Sequence, residues 1–234
     1  MRIPRSLPNQ LTIARLVLAA ILFVILHGIG WSQTHQGALA DWFRGQASLL
    51  LNLGAAIVAL ASISDILDGQ IARAWNLTTD FGRIADPFAD KVIVSGAFLF
   101  LVPIEGSGVS AWMVVAIVAR ESLVDGIRGF AESRGIAFGA SWWGKAKMVC
   151  QSATIGTILV YLADARGNEI WKTVVDVFLG ITIFITLYSG LLYVFQARKL
   201  LRKGARGDGG DGVPPSSVAE KVASSPKQEA QTSR

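Results

Sequence analysis

The chain has 234 residues, 52% hydrophobic and 17% charged, with a mean hydropathy of +0.46. Long charge-free runs exclude a water-facing globular surface and indicate an integral membrane protein. Its 22 Lys and Arg against 17 Asp and Glu give a net charge of +5. A nucleic-acid binder would carry that excess as a basic stripe beside aromatics; here it follows the sidedness of the loops, so no nucleic-acid partner is expected. The single cysteine, Cys150, lies in an apolar segment, so no internal disulfide can form. His27 and His35 have no metal-ligand partner in the sequence and read as loop or helix-end residues.

A membrane-crossing helix needs roughly 20 mostly apolar residues. Six windows qualify: Leu11–Gly30, Ala47–Trp75, Asp86–Val102, Ser110–Ser133, Ala146–Leu162 and Thr173–Leu200. The fold expected is therefore an all-α membrane protein of six transmembrane helices. Arg2 and Arg5 ahead of the first apolar run, with Gly28-Ile29-Gly30 behind it, also suit a signal peptide, but Arg15 interrupts that run early. The second window is too long for one simple span, and its C-terminal part, with Asp65, Asp68 and Arg73, reads as a helix emerging at one membrane face.

Positive charges cluster at alternate span ends: Arg2 and Arg5, Arg73 and Arg83, Arg128 to Lys147, and Arg198 to Arg206. The opposite ends hold only Arg44, Arg166 and Lys172. The positive-inside rule then puts both termini in the cytoplasm, with Trp31, Trp42, Trp112 and Trp171 at the outer interface and Trp75, Trp142 and Trp143 at the inner one. Residues 1–10 form a cytoplasmic N-terminal segment and 11–202 the helical domain. From Lys203 the composition turns to Gly, Ser, Pro, Lys, Gln and Glu, too poor in apolar side chains to offset ordering entropy, so 203–234 is expected to be a disordered cytoplasmic tail.

Ionisable residues inside membrane spans are costly, and their default reading is functional. Asp65 and Asp68 are spaced i,i+3, and Asp86 and Asp90 i,i+4, so each pair shares a helix face. If Trp75 to Gly82 turns the chain back, two helices bring four carboxylates together. Such a group needs neutralising, and two hard divalent cations, Mg²⁺ or Mn²⁺, suit an all-oxygen donor set. Two bridged cations activate a phosphorus centre and steady a leaving phosphate. Gly69 leaves room for a phosphate-bearing group beside the backbone. Ala72 keeps that face small, and Arg73 offers a fork for phosphate oxygens. Solvated helix ends paired with Arg73, Arg83 and Lys91 are the bland alternative, which explains neither the spacing nor the small residues.

The pattern D-x2-D-G-x2-A-R-x8-G-x3-D-x3-D, carried by Asp65, Asp68, Gly69, Ala72, Arg73, Gly82, Asp86 and Asp90, resembles the signature of the CDP-alcohol phosphotransferases. The resemblance implies six transmembrane helices around a polar cavity open to the cytoplasm, in a homodimer of the inner (plasma) membrane. It implies that Asp65, Asp68 and Asp86 ligate two metals and that Asp90 both touches a metal and acts as general base. Gly69, Ala72, Arg73 and Gly82 would lie against the CDP moiety. Outside the signature, Leu7 to Thr12 with Arg15, Ala119 to Ser122 with Arg128, Ser141 to Lys147, and Tyr188-Ser189-Gly190 ahead of Arg198 look like segments of bacterial phosphatidylglycerophosphate synthases. The loop from Trp31 to Gln46 is long for that group and the tail is additional.

The reaction so implied joins sn-glycerol 3-phosphate to the phosphatidyl group of CDP-diacylglycerol and releases CMP. An acceptor that carries a phosphate needs its own cationic seat, for which the resemblance favours Arg120, Lys145 and Arg198. Their plain alternative is a positive-inside flank. Glu121 and Asp125 are available to pair with these cations, and Asp176 has no functional reading. Within the same family, inositol phosphate, serine or another alcohol are the competing acceptors. A cation transporter is the rival from another class, but no internal repeat of the kind common in transporters is visible.

Overall fold

The computed structural model describes residues 7–75, 80–133 and 142–207, and the side chains among them except those at 7–9, 11, 66–75, 80–87, 90, 132, 142–145, 196 and 199–207. Among these residues the chain is all helix: α1 (Leu7–Thr34), α2 (Ala38–Gly45), α3 (Ala47–Trp75), α4 (Asp80–Leu101), α5 (Ala111–Ser133), α6 (Trp142–Asp164) and α7 (Glu169–Gly207). Each of the six expected spans falls on one of the six long helices. The addition is α2, an eight-residue amphipathic helix in the loop between Trp31 and Gln46, entered through Gly37 at φ 124°. Helix α7 continues to Gly207, past the expected start of the tail at Lys203, and residues 208–234 lie outside the described residues.

Helix α1 organises the bundle. Thr12, Arg15, Ala19, Leu22, Leu26 and Ile29 recur at three- and four-residue intervals and are all buried, one continuous stripe on a 3.6-residue helix. The stripe packs on α3 and α4, where Leu51, Ile57, Val58 and Ala61 of α3 and Ile93, Ala97, Phe98 and Leu101 of α4 complete the core with Ile155, Ile158 and Leu159 of α6. Small residues set the spacing. A Cβ at Gly96 would stand 2.2 Å from Phe23, and one at Gly54 would stand 3.1 Å from Leu22, so both glycines permit close helix approach. Helix α7 starts at a side-chain cap: Asn168 Oδ1 accepts from the backbone N–H groups of Ile170 at 3.0 Å and Trp171 at 3.3 Å.

Large apolar side chains such as Val24, Leu60, Phe184 and Leu191 face outward, as expected where the solvent is lipid. Four stretches are long and apolar enough to cross a membrane: Thr12–Thr34, Ala47–Asp65, Ala146–Asp164 and Glu169–Phe195. This is a membrane protein. Among the described residues α4 adds a shorter apolar stretch, Lys91–Leu101. In sequence α4 also carries Asp80, Arg83, Asp86 and Asp90, and α5 carries Arg120, Glu121, Asp125 and Arg128, charges that are costly on membrane helices and read as functional.

Compact packing divides the chain into Met1–Val194, which holds the core just described, and Phe195–Arg234.

Candidate active site

The acidic signature falls on two consecutive helices, Asp65 and Asp68 on α3, and Asp86 and Asp90 on α4. Asp65 is the member whose side chain is described. Its carboxylate is 30% exposed, and Oδ1 accepts a hydrogen bond from Nη1 of Arg15 at 2.9 Å, the arginine being 4% exposed. A buried arginine on α1 thus anchors the first carboxylate of the signature. The pair lines a small cleft of about 50 Å³ between α1, α3, α4 and α6. Ser62 and Ser152 add hydroxyls to its wall, and Val58, Ile93, Val94, Met148 and Ile155 make the rest apolar.

The side chains of Asp68, Gly69's neighbour on α3, and of Ala72, Arg73, Asp86 and Asp90 lie outside the described residues, as does the surroundings of Gly69 and Gly82. Among the described residues no three His, Cys, Asp or Glu side chains stand together as a metal site. The donor chemistry nevertheless fits a hard divalent cation. Asp65 presents carboxylate oxygen, the other three signature acids are the same donor type, and the two histidines are engaged elsewhere. His27 packs edge-on to Phe100, and His35 stacks on Trp31 with Nδ1 3.0 Å from that residue's carbonyl oxygen.

A second charged group joins α5, α6 and α7. Glu121 Oε1 accepts from Nη1 of Arg120 at 3.2 Å and also from Nζ of Lys147. The three side chains are 7 to 13% exposed. The Arg120 guanidinium lies over the Tyr193 ring, 5.6 Å from its centroid, within cation–π range. Its stem passes Gly190, where an added Cβ would stand 3.0 Å from Cγ. Among the described residues, Nε and Nη2 of Arg120 have no acceptor although both are buried. Next to this group Lys91 of α4, which follows Asp90 in sequence, pairs with Asp125 of α5. Below it, α6 and α7 are joined by neutral polar contacts: Gln151 Nε2 lies 3.5 Å from Thr186 Oγ1, and Thr154 and Thr182 share a 2.7 Å hydroxyl contact.

A family model described as CDP-alcohol phosphatidyltransferase matches residues 5–188. The chain belongs to the CDP-alcohol phosphatidyltransferase family. Among similar members of that family is the CDP-diacylglycerol–glycerol-3-phosphate 3-phosphatidyltransferase of Bacillus subtilis, 33% identical over 193 residues, covering 80% of this chain and 93% of the relative. Proteins of the same name from Rickettsia bellii, 36% identical, and Rickettsia felis, 32% identical, each cover 85% of this chain and 99% of their own length.

Of the expected acceptor-site cations in this family member, Arg120 is buried in the α5–α6–α7 group. The Lys145 side chain lies outside the described residues, and Arg198 is exposed and belongs to the unit Phe195–Arg234. Two residues of the charged groups carried little weight in the sequence. Arg15 stands in the sequence as a charge inside an apolar run and alongside the Leu7 to Thr12 motif, with no role attached to it. Lys147 is buried, and nothing in the sequence says that it turns inward. Asp176 is accounted for as an exposed i,i+4 partner of Lys172, at 3.1 Å.

Proposed function

We propose that this protein transfers the phosphatidyl group of CDP-diacylglycerol to sn-glycerol 3-phosphate, forming phosphatidylglycerophosphate and CMP. The observation that carries the acceptor assignment is Arg120, buried with two guanidinium nitrogens, Nε and Nη2, that have no acceptor among the described residues. A buried donor without a partner is costly, and a phosphate oxygen is the strong acceptor that relieves it. Serine brings no phosphate to such a seat. The relatives' shared name supports the same acceptor. In this reading Lys145 and Arg198 supply further positive charge to the acceptor phosphate.

Asp90 takes the proton from the attacking hydroxyl of glycerol 3-phosphate, since an alcohol is a weak nucleophile without a base. The hydroxyl oxygen bonds to the β-phosphorus as the bond to the bridging pyrophosphate oxygen breaks, and CMP leaves with the electron pair. Arg73 donates to the phosphate oxygens that gain charge. Gly69, Ala72 and Gly82 leave room for the cytidine diphosphate. Asp65, Asp68, Asp86 and Asp90 would hold two divalent cations, Mg²⁺ or Mn²⁺, which supply neutralising charge to the pyrophosphate when bound. Arg15 orients Asp65 for that task.

The architecture that goes with this chemistry is six transmembrane helices, α1 and α3 to α7, around a polar cavity open to the cytoplasm. It comprises residues 11–202, with cytoplasmic segments at 1–10 and 203–234. The protein works as a homodimer in the cell inner membrane, with both termini inside. The direct experiment is an acceptor panel: purified protein, CDP-diacylglycerol and Mg²⁺ with glycerol 3-phosphate, inositol phosphate, serine or glycerol, following CMP. Glycerol 3-phosphate should be preferred. Preference for serine or inositol phosphate would leave only the family chemistry standing.

A further inference from the structure

Glu121 presents a puzzle if the α5–α6–α7 group receives a phosphate. A carboxylate beside an anion site repels the anion, and this one is only 13% exposed, where screening is weak. Its contacts suggest why it is there. Arg120 and Glu121 are neighbours on α5, and adjacent helical residues do not ordinarily face one another. Here one carboxylate oxygen draws the guanidinium round by Nη1 and is itself fixed from α6 by Lys147. The Tyr193 face and the gap at Gly190 confine the rest of the side chain.

The consequence is geometric. Nη1 is the nitrogen that Glu121 occupies, and Nε and Nη2 are the ones with no acceptor among the described residues. In a planar guanidinium, Nε–H and one Nη2–H lie side by side along one edge, the arrangement that grips two oxygens of a phosphate at once. Two cations against one carboxylate also leave a single positive charge unbalanced in a buried group.

We infer that Glu121 is a positioning residue for the acceptor: with Lys147 it holds Arg120 by Nη1 so that the Nε–Nη2 edge stays open to the acceptor phosphate. This rests on the acceptor reading above. It names a role for a carboxylate that repels the substrate's charge yet improves its binding. Lys147 serves as the anchor of that carboxylate, with its own charge spent on Glu121.

Charge and position make opposite forecasts, so two substitutions separate them. Glu121→Gln removes the repelling charge and weakens the hold on Arg120, whereas Glu121→Asp keeps the charge and withdraws the oxygen by one methylene. Positioning requires the KM for glycerol 3-phosphate to rise about fivefold or more in Glu121→Gln, the scale of a weakened charge-assisted hydrogen bond, and to rise in Glu121→Asp as well. The KM for CDP-diacylglycerol and kcat should stay within about twofold of wild type, and competitive inhibition by inorganic phosphate should weaken in step with the glycerol 3-phosphate KM. An unchanged or lowered glycerol 3-phosphate KM in either variant overturns the inference. So does an equal loss in kcat and in both KM values, or failure of both variants to fold, since those mark a purely structural ion pair. Wild type measured alongside keeps the two readings apart: if it releases no CMP with glycerol 3-phosphate, the acceptor assignment itself has failed.

Discussion

Two carboxylates at opposite ends of α6 show how a membrane protein separates a staple from a site. At the C-terminal end, Asp164 accepts Ser48 Oγ at 2.6 Å on one oxygen and Asn52 Nδ2 at 2.8 Å on the other, tying α6 to α3 in an exposed position. Near the N-terminal end, Glu121 of α5 takes two cationic donors on a single oxygen in a partly buried position, and two nitrogens of Arg120 have no acceptor among the described residues. Neutral donors matched one to one leave nothing to bind. Buried charge with spare donors holds open a place for an anion, at a cost that a purely structural contact would have no reason to bear.

The contrast is broken most completely by removing metal. If the signature acids neutralise their mutual repulsion with divalent cations, EDTA should abolish CMP release, and Mg²⁺ or Mn²⁺ should restore it; full activity in chelator would refute that role. Sidedness gives an equally sharp result. In a Cys150→Ser background, Gln36→Cys and Asn168→Cys, both at exposed positions, should react with an impermeant thiol reagent in intact cells. Ser216→Cys should react only after lysis, and its labelling in intact cells would turn the proposed topology over.

A smaller effect is expected at the base. Asp90→Asn should lower turnover by about 10²-fold or more, the usual scale for a general base, while CDP-diacylglycerol still binds; near-normal turnover would move the base elsewhere. The smallest effects belong to the staple end. Asp176→Asn removes half of an exposed i,i+4 pair with Lys172, and exposed pairs contribute little. CMP release should stay within about twofold of wild type, and a large loss would erase the distinction between the two ends.

Local regularities made much of this visible in the sequence. The spacing of Asp65, Asp68, Asp86 and Asp90 needs only helical periodicity to pair the acids by face, and apolar windows suffice to locate the six long helices. Contacts between distant residues were not visible in the same way. The Arg15–Asp65 pair spans 50 positions and depends on how α1 lies against α3. That Lys147 turns toward α5 depends on the rotation of α6, which its weak apolar periodicity does not reveal. Asp125 pairs with Lys91 rather than with the later cations, because α4 and α5 are the helices that meet there. Helix α2 escaped notice because eight residues with an exposed Trp42 and Leu39 resemble a loop until Ala40 is seen to be buried.

The phosphate seat is tested most directly by comparing kcat/KM for glycerol 3-phosphate with that for glycerol, the same acceptor without its phosphate, in wild type and in Arg120→Ala. If Arg120 holds the acceptor phosphate, the substitution should cut the preference for glycerol 3-phosphate by about tenfold or more, equivalent to roughly 1.4 kcal/mol, with the KM for CDP-diacylglycerol little changed. A preference that survives the loss of Arg120 intact would show that the acceptor phosphate is bound elsewhere.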